Sequence, residues 1–164
     1  MLEDLTFKSL GLVNYHETMD LMRSHVKGEN FSNEIWLLEH PPIFTLGTAA
    51  DKKHILNVKD IPIVQSDRGG EVTYHGPGQL VIYFLLDIKK LEFSPNKLVS
   101  TIQNFVKDLL HELSIECNFI KGAPGVYVDK KKIASIGLRI SKGKSYHGIC
   151  LLYTSPSPRD TIRS

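Results

Sequence analysis

The sequence predicts one α+β domain in which a mixed, mainly antiparallel sheet is packed with helices. Three observations carry this expectation. Strand-length and helix-length segments are interspersed without the regular alternation of a doubly wound fold. Residues 79–86, QLVIYFLL, form an unbroken apolar run of strand length, as expected of a strand buried on both faces. Residues 98–113 place Leu98, Ile102, Phe105, Val106, Leu109, Leu110 and Leu113 at helical spacings, which makes one broad apolar stripe.

Taken in order, residues 6–12 can open as a strand, and residues 14–26 read as a helix with Met19, Met22 and Val26 three and four apart. Residues 34–39, EIWLLE, read as a strand. It ends at His40-Pro41-Pro42, because two prolines cannot donate to a central ladder. Residues 43–46 resume an extended path until Gly47. The long helix begins at Pro95, a first-turn position, with Ser94 as its N-cap. A strand starts near Cys117, and three more follow at residues 126–128, 133–140 and 146–149. Lys130-Lys131 can turn the first of these three into the second, and residues 141–144 the second into the third.

At 164 residues the chain supports one hydrophobic core rather than two. No apolar run approaches the roughly 18 residues of a membrane span. The acidic start, Met1-Leu2-Glu3-Asp4, does not look like a targeting segment, so the expected location is the cytoplasm and no membrane partner is expected. A formal net charge of +2 is too small to argue for nucleic acid. The positive charge is nonetheless clustered at Lys52-Lys53, Lys89-Lys90, Lys130-Lys131-Lys132, Lys142 and Lys144. Such clusters form either a solvated surface or a docking face for an acidic protein. Cys117 and Cys150 have no metal-ligand spacing and are too few for a disulfide scaffold. His16, His25, His40, His54, His75, His111 and His147 show no zinc spacing, so neither metal nor cofactor is expected.

The densest segment is Arg68-Gly69-Gly70-Glu71-Val72-Thr73-Tyr74-His75-Gly76-Pro77-Gly78-Gln79. Its glycines allow close backbone approach to a ligand, and the interleaved Arg, Thr, Tyr and His supply polar groups. By residue type alone, a tight turn between two strands is an equal reading. The order of residues says more. R-G-G-x-x-T-Y-H-G-P-G-Q followed by an apolar strand resembles the signature of the lipoyl(octanoyl) transferase family. LLEHPPIFTLG at 37–47, APGVYV at 123–128 and KIASIGLRISKGKSYHGI at 132–149 agree with that family in the same order.

The resemblance implies a biotin/lipoate protein ligase-like catalytic domain over residues 1–149. It also implies a ping-pong transfer of octanoyl from octanoyl-acyl carrier protein to a lysine of a lipoyl domain, through a cysteine thioester. The implied acceptors are lipoyl domains of 2-oxoacid dehydrogenases and the glycine cleavage H protein. Lys132 matches the lysine whose cation favours the thiolate. Three substrate-contacting segments match as well: Arg68, Gly69, Gly70, Glu71, Val72, Thr73, Tyr74 and His75; then Ser135, Ile136 and Gly137; then Gly148, Ile149 and Cys150. Small residues there would let N–H groups face a developing oxyanion. Burying the eight-carbon chain would contribute about 5 kcal/mol at roughly 0.8 kcal/mol per methylene. His75 and His147 are expected as hydrogen-bonding groups in or near the site. An ATP-dependent lipoate or biotin ligase of the related fold, or a non-catalytic acyl-binding module, are the alternatives.

The family's Pro-Cys-Gly nucleophile, which lies downstream of the segment reading SYHGI here, has no counterpart in the 164 residues. Cys117 reads as a small buried apolar residue, and Cys150 sits at a substrate-contact position. Residues 150–160, CLLYTSPSPRD, are similar to the translation of a sequencing-library transposase adapter. Residues 150–164 are therefore expected to be a non-native tail, and the chain as written is expected to be inactive.

Overall fold

In the computed structural model, residues 4–55 and 60–151 are described, so residues 152–164 of the expected tail lie outside the described residues. Seven strands form the main sheet: β1 (Thr6–Leu12), β2 (Glu34–Glu39), β6 (Val81–Leu85), β10 (Lys144–Leu151), β9 (Lys131–Ser141), β8 (Ala123–Val128) and β7 (Asn118–Ile120), in that spatial order. Three short strands, β4 (Ile63–Gln65), β3 (Ile43–Leu46) and β5 (Val72–His75), form a second sheet in that order. The helices are α1 (Tyr15–Lys27) and α2 (Pro95–Glu112). β1 pairs parallel with β2, and α1 is the crossover that parallel pairing requires. Every other pair in the large sheet is antiparallel. This is the mixed, mainly antiparallel α+β architecture expected from the sequence.

Local chemistry explains the element ends. The Asn14 side chain accepts from the backbone N–H groups of His16 and Glu17, and that of Ser94 accepts from Lys97 ahead of Pro95. Two-residue turns join β8 to β9 and β9 to β10, with positive φ at Asp129 and Lys130 and at Lys142 and Gly143. That is the handedness which lets tight hairpins match strand twist. The first turn falls one residue earlier than the Lys130-Lys131 expected. β9 also holds one residue more than β8 opposite it: Val126 pairs with Ala134 and Tyr127 with Lys132, leaving Ile133 as a bulge.

The two faces of the large sheet are covered differently. α2 lays Leu98, Ile102, Val106 and Leu110 on Ile82, Phe84, Val126, Ala134, Ile136 and Ile149. On the other face α1 packs Tyr15, Met19, Met22 and Val26 against Trp36, Leu38, Tyr83, Leu85 and Tyr146. The stripe expected on α2 is too broad. Leu109 is partly buried against the core, but Phe105 is 48% exposed and Leu113 64%. The buried row runs at i, i+4 and winds about 40° around the helix per step, so the contact line moves away from Phe105 as the helix crosses the sheet. Leu113 is already the C-cap. No helix among the described residues is long and apolar enough to cross a membrane.

Candidate active site

The glycine-rich segment is not only a turn. Its last four residues form β5, which pairs antiparallel with β3 as Thr45 opposite Thr73 and Ile43 opposite His75. Strand alternation turns Thr73 and His75 to one side and Val72 and Tyr74 to the other, where Tyr74 meets the Phe44 ring at 5.3 Å. The segment before β5 is held by Arg68. Its guanidinium is buried and donates to Thr45 Oγ1, Thr45 O, Gly69 O and Glu71 O, all at 2.8–3.1 Å. Burial pulls the Arg68 pKa down, yet no carboxylate stands among those acceptors. The side chain acts as a rivet between β3 and the loop. Glu71 points elsewhere, with its carboxylate 3.0 Å from His54 Nδ1.

This loop lies on β9 where that strand lacks a side chain. Gly69 N donates to Leu138 O, and a Cβ on Gly137 would stand 2.6 Å from Gly69 O. A Cβ on Gly148 would collide with the Ile82 carbonyl and with the Phe84 ring across the β10–β6 pair. Backbone meets backbone in both places, which only glycine permits. Between these surfaces lies a cavity of about 20 Å³. Arg68, Thr73 and His75 line it from the loop and β5, and Ser135, Gly137, Gly148, Ile149 and Cys150 line it from β9 and β10. Tyr15, Val81, Tyr83 and His147 complete the wall. Of the remaining candidates, Ile136 faces the α2 core, and Gly69, Gly70, Glu71, Val72 and Tyr74 support the loop and β5 rather than the wall. The volume suits a water-sized group, so an acyl chain requires the walls to part.

The wall is polar and ordered. His40 Nδ1 donates to Val13 O at 2.7 Å, so its Nε2 accepts from the Tyr83 hydroxyl at 2.8 Å. Burial holds His40 down at about 4, and it holds His75 well below the ordinary imidazole range, with the charges of His40 and Arg68 adding to the effect. The same burial raises Tyr15 and Tyr83. Tyr15 donates to Ser66 Oγ at 2.8 Å, which also accepts from Arg68 N. Asp67, next to the loop, accepts from Tyr146 Oη at 2.7 Å and from His147 Nε2 at 2.8 Å, and Arg23 of α1 lies 3.2 Å away. The hydrogen bond from His147 depresses the Asp67 pKa, while burial lowers that of His147 despite the carboxylate. At neutral pH the contact is a neutral imidazole donating to a carboxylate rather than an ion pair.

Lys132 does not line the cavity. Three residues from Ser135, it would sit on the opposite face of a regular strand. The bulge at Ile133 reverses that, because Lys132 pairs with Tyr127 and Ser135 with Gly125, residues two apart on β8 and hence on one face. Its side chain folds back over Gly125, with Cε 3.4 Å from where a Cβ would stand and Nζ 5.7 Å from the centre of the Tyr127 ring. Cys150 is buried in β10, opposite Ser135 and Val81, and donates to Gln79 Oε1 at 3.1 Å. Cys117 is half-buried against the α2 core, away from the cavity, and burial raises its pKa. No cluster of three or more His, Cys, Asp or Glu among the described residues could hold a metal ion.

Comparison with known proteins gives this geometry a family. The Lipoyl protein ligase A/B catalytic domain matches residues 14–159. An octanoyltransferase of Pseudomonas putida is 49% identical over 149 residues, covering 90% of this chain and 69% of the relative. The chain belongs to the octanoyltransferase family. That is a family of acyltransferase enzymes. Solved structures share the fold at low identity. A lipoate-protein ligase A bound with ATP superposes with a TM-score of 0.71 at 14% identity, covering 98% of this chain and 76% of that one. A bipartite lipoate protein ligase with its E2 lipoyl domain, from Thermoplasma acidophilum, gives 0.65 at 14%, covering 96% and 69%.

The residues around the cavity that the sequence alone did not single out are Tyr15, His40, Thr45, Asp67 and Tyr83. Two carried a signal. His40 stands in the LLEHPP stretch, and Asp67 is a carboxylate directly before Arg68. Tyr15 and Tyr83 sit in a helix and an apolar strand, where aromatic rings read as core.

Proposed function

We propose that the chain is the larger part of an octanoyltransferase catalytic domain, built for moving octanoyl from octanoyl-acyl carrier protein to the ε-amine of a lysine on lipoyl domains of 2-oxoacid dehydrogenases and the glycine cleavage H protein, but without a nucleophilic thiol of its own. The observation that carries this reading is the meeting of three separated segments at one cavity, through Thr73 and His75, Ser135 and Gly137, and Gly148 and Cys150. Their backbones come together because glycines stand at the contacts, which suits a flat thioester or amide passing between them. In this reading residues 68–75, 135–137 and 148–150 hold the acyl group, and Lys132 supplies the cation that favours a thiolate. The thiolate attacks the acyl carbonyl and expels the carrier's thiol. The lysine amine then displaces the thiolate and forms an amide. Lys130 and Lys131 stand at one end of β9 and Lys142 and Lys144 at the other, and in this reading they steer the acidic carrier. The reaction takes place in the cytoplasm.

The nucleophilic thiol is supplied by neither cysteine of this chain. Cys117 packs on the α2 side, and Cys150 occupies an acyl-contact position already bonded to Gln79. Residues 150–164 are proposed to be non-native in origin, with β10 running on to Leu151 and the family match to residue 159. The test is incubation with octanoyl-acyl carrier protein, followed by mass spectrometry and a lipoyl-domain transfer assay. The expected result is no octanoyl adduct on the chain and no transfer. A chain continued through a family Pro-Cys-Gly segment should transfer, and Lys132→Ala in it should lower the rate by at least about 100-fold. Rapid acylation of Cys150 with onward transfer would overturn the assignment of the thiol. Transfer from free octanoate that depends on ATP would favour a ligase instead.

A further inference from the structure

Asp67 precedes the glycine-rich motif and joins three elements that sequence does not connect. One carboxylate oxygen accepts from Tyr146 Oη and lies near Arg23, and the other accepts from His147 Nε2. Tyr146 and His147 are consecutive residues of β10 and would ordinarily point to opposite faces. His147 has φ +61°, a left-handed conformation unusual in a strand, and its ring stacks 5.0 Å from that of Tyr146. This local twist brings both side chains to a single carboxylate.

The bond to Asp67 decides the tautomer of His147. A carboxylate only accepts, so Nε2 carries the hydrogen and neutral Nδ1 is left with a lone pair. The opposite tautomer follows for His75. Arg68 Nε and Nη2 both donate to Thr45 Oγ1 and occupy its two lone pairs. The Thr45 hydroxyl hydrogen is then directed at His75 Nε2, 3.3 Å away, so the ring hydrogen of His75 is on Nδ1. Both Nδ1 atoms are buried and have no hydrogen-bond partner in the structure, and both residues line the same small cavity. One is a donor and the other an acceptor. Two buried polar atoms of opposite character fit a group that offers one acceptor and one donor.

We propose that Asp67 is a positioning residue that sets this donor–acceptor pair, and that the pair recognises a secondary amide, with the carbonyl oxygen on His75 Nδ1–H and the amide N–H on His147 Nδ1. This rests on the octanoyltransferase reading, in which the product is an octanoyl-lysine amide and the preceding acyl group offers only the carbonyl. His147 thereby distinguishes an amide product from an ester, which has no N–H to donate.

The experiment is long-range nitrogen–proton NMR on the histidine rings of the whole chain, which reads tautomers directly. His147 should be the Nε2–H form and His75 the Nδ1–H form. Asp67→Ala should abolish the bias at His147 and leave that of His75. Tyr146→Phe, which keeps the carboxylate, should leave both, and if Asp67→Ala does not fold, the His147 tautomer of the unaltered chain still decides. Nε-octanoyl-lysine should then shift both Nδ1 resonances. Its ester counterpart, with oxygen in place of the amide nitrogen, should shift only that of His75 and bind about 5-fold more weakly, the loss of one hydrogen bond. An Nδ1–H tautomer at His147 would overturn the role of Asp67. Equal effects of amide and ester would overturn the recognition of the N–H. Correct tautomers with no response to either compound would overturn the amide as ligand, and loss of octanoyl transfer in the continued chain would separately sink the functional reading.

Discussion

The two faces of the seven-stranded sheet are built from the same strands and do opposite things. Under α2 the sheet presents Ile82, Phe84, Ala134, Ile136 and Ile149, and the helix answers with aliphatic side chains. Under α1 and the small sheet, the same strands present Tyr83, Ser135, Gly137, His147 and Gly148 to a cavity walled by Arg68, His75 and Tyr15. The α1 side has an apolar cluster of its own, with Met19, Met22, Trp36 and Leu85, and the polar wall lies beside it. A buried polar face costs desolvation that only a complete set of hydrogen bonds offsets. On the proposed reading the polar face is where the chain trades stability for chemistry, and the two faces should fail differently when perturbed.

The largest loss should come from Arg68→Ala. Removing the guanidinium takes its donors from Thr45 O and Gly69 O, while Glu71 O keeps that of Gly47 N. A cost of roughly 4 kcal/mol is expected, since each unsatisfied buried acceptor costs about 1–3 kcal/mol. On the apolar face Leu98→Ala, at a 2% exposed site, should cost about 3 kcal/mol through lost burial and a residual cavity. Urea unfolding of both variants measures the contrast. The polar-face variant should also lose ligand-induced stabilisation, which Leu98→Ala should retain. Equal behaviour of the two would erase the distinction between the faces.

Acid should separate the faces next. His40 is held at about 4 against an ordinary 6.5, so between these values the unfolded chain binds the proton that the folded chain refuses. Its contribution is complete above pH 6.5 and is lost as pH falls towards 4, on the order of 3 kcal/mol in all. Burial lowers His75 and His147 as well, which adds loss of the same sign. The depressed carboxyl of Asp67 contributes above the unfolded carboxylate range and is lost only at still lower pH. Stability measured from pH 8 to 4 should therefore fall, and His40→Gln should flatten the upper part of that fall. A flat profile in the unaltered protein would contradict buried neutral histidines.

The apolar face was the more legible in sequence, and the reason is physical. Periodicity reports burial, so residues 79–86 and the row from Leu98 to Leu110 announce themselves. The polar face depends on contacts between distant segments. The RGG-x-x-TYH order disclosed the loop, but β5 was hidden in it and β4 has only three residues. Nothing local says that Asp67 will meet Tyr146 and His147, eighty residues on. Lys132 shows the limit most sharply. Counting from Ser135 puts it on the wrong face, and only the extra residue at Ile133 restores it. A bulge arises from the pairing of two strands and leaves no mark on either alone.

The smallest effect should be at Phe105, a ring whose spacing predicts a place in the core. It belongs to the apolar stripe by spacing, yet it is 48% exposed because the line of contact follows Leu98, Ile102, Val106 and Leu110. Phe105→Ala should lower stability by less than about 1 kcal/mol. The substitution removes some half-buried contact, but alanine gains about 0.5 kcal/mol of helix propensity over phenylalanine. Val106→Ala, one residue on at a 0% exposed site, should cost clearly more, through a cavity that α2 cannot close by itself. Thermal melts of the two variants side by side suffice. If Phe105→Ala were as costly as Val106→Ala, α2 would be rotated relative to the sheet, with Phe105 packed against it.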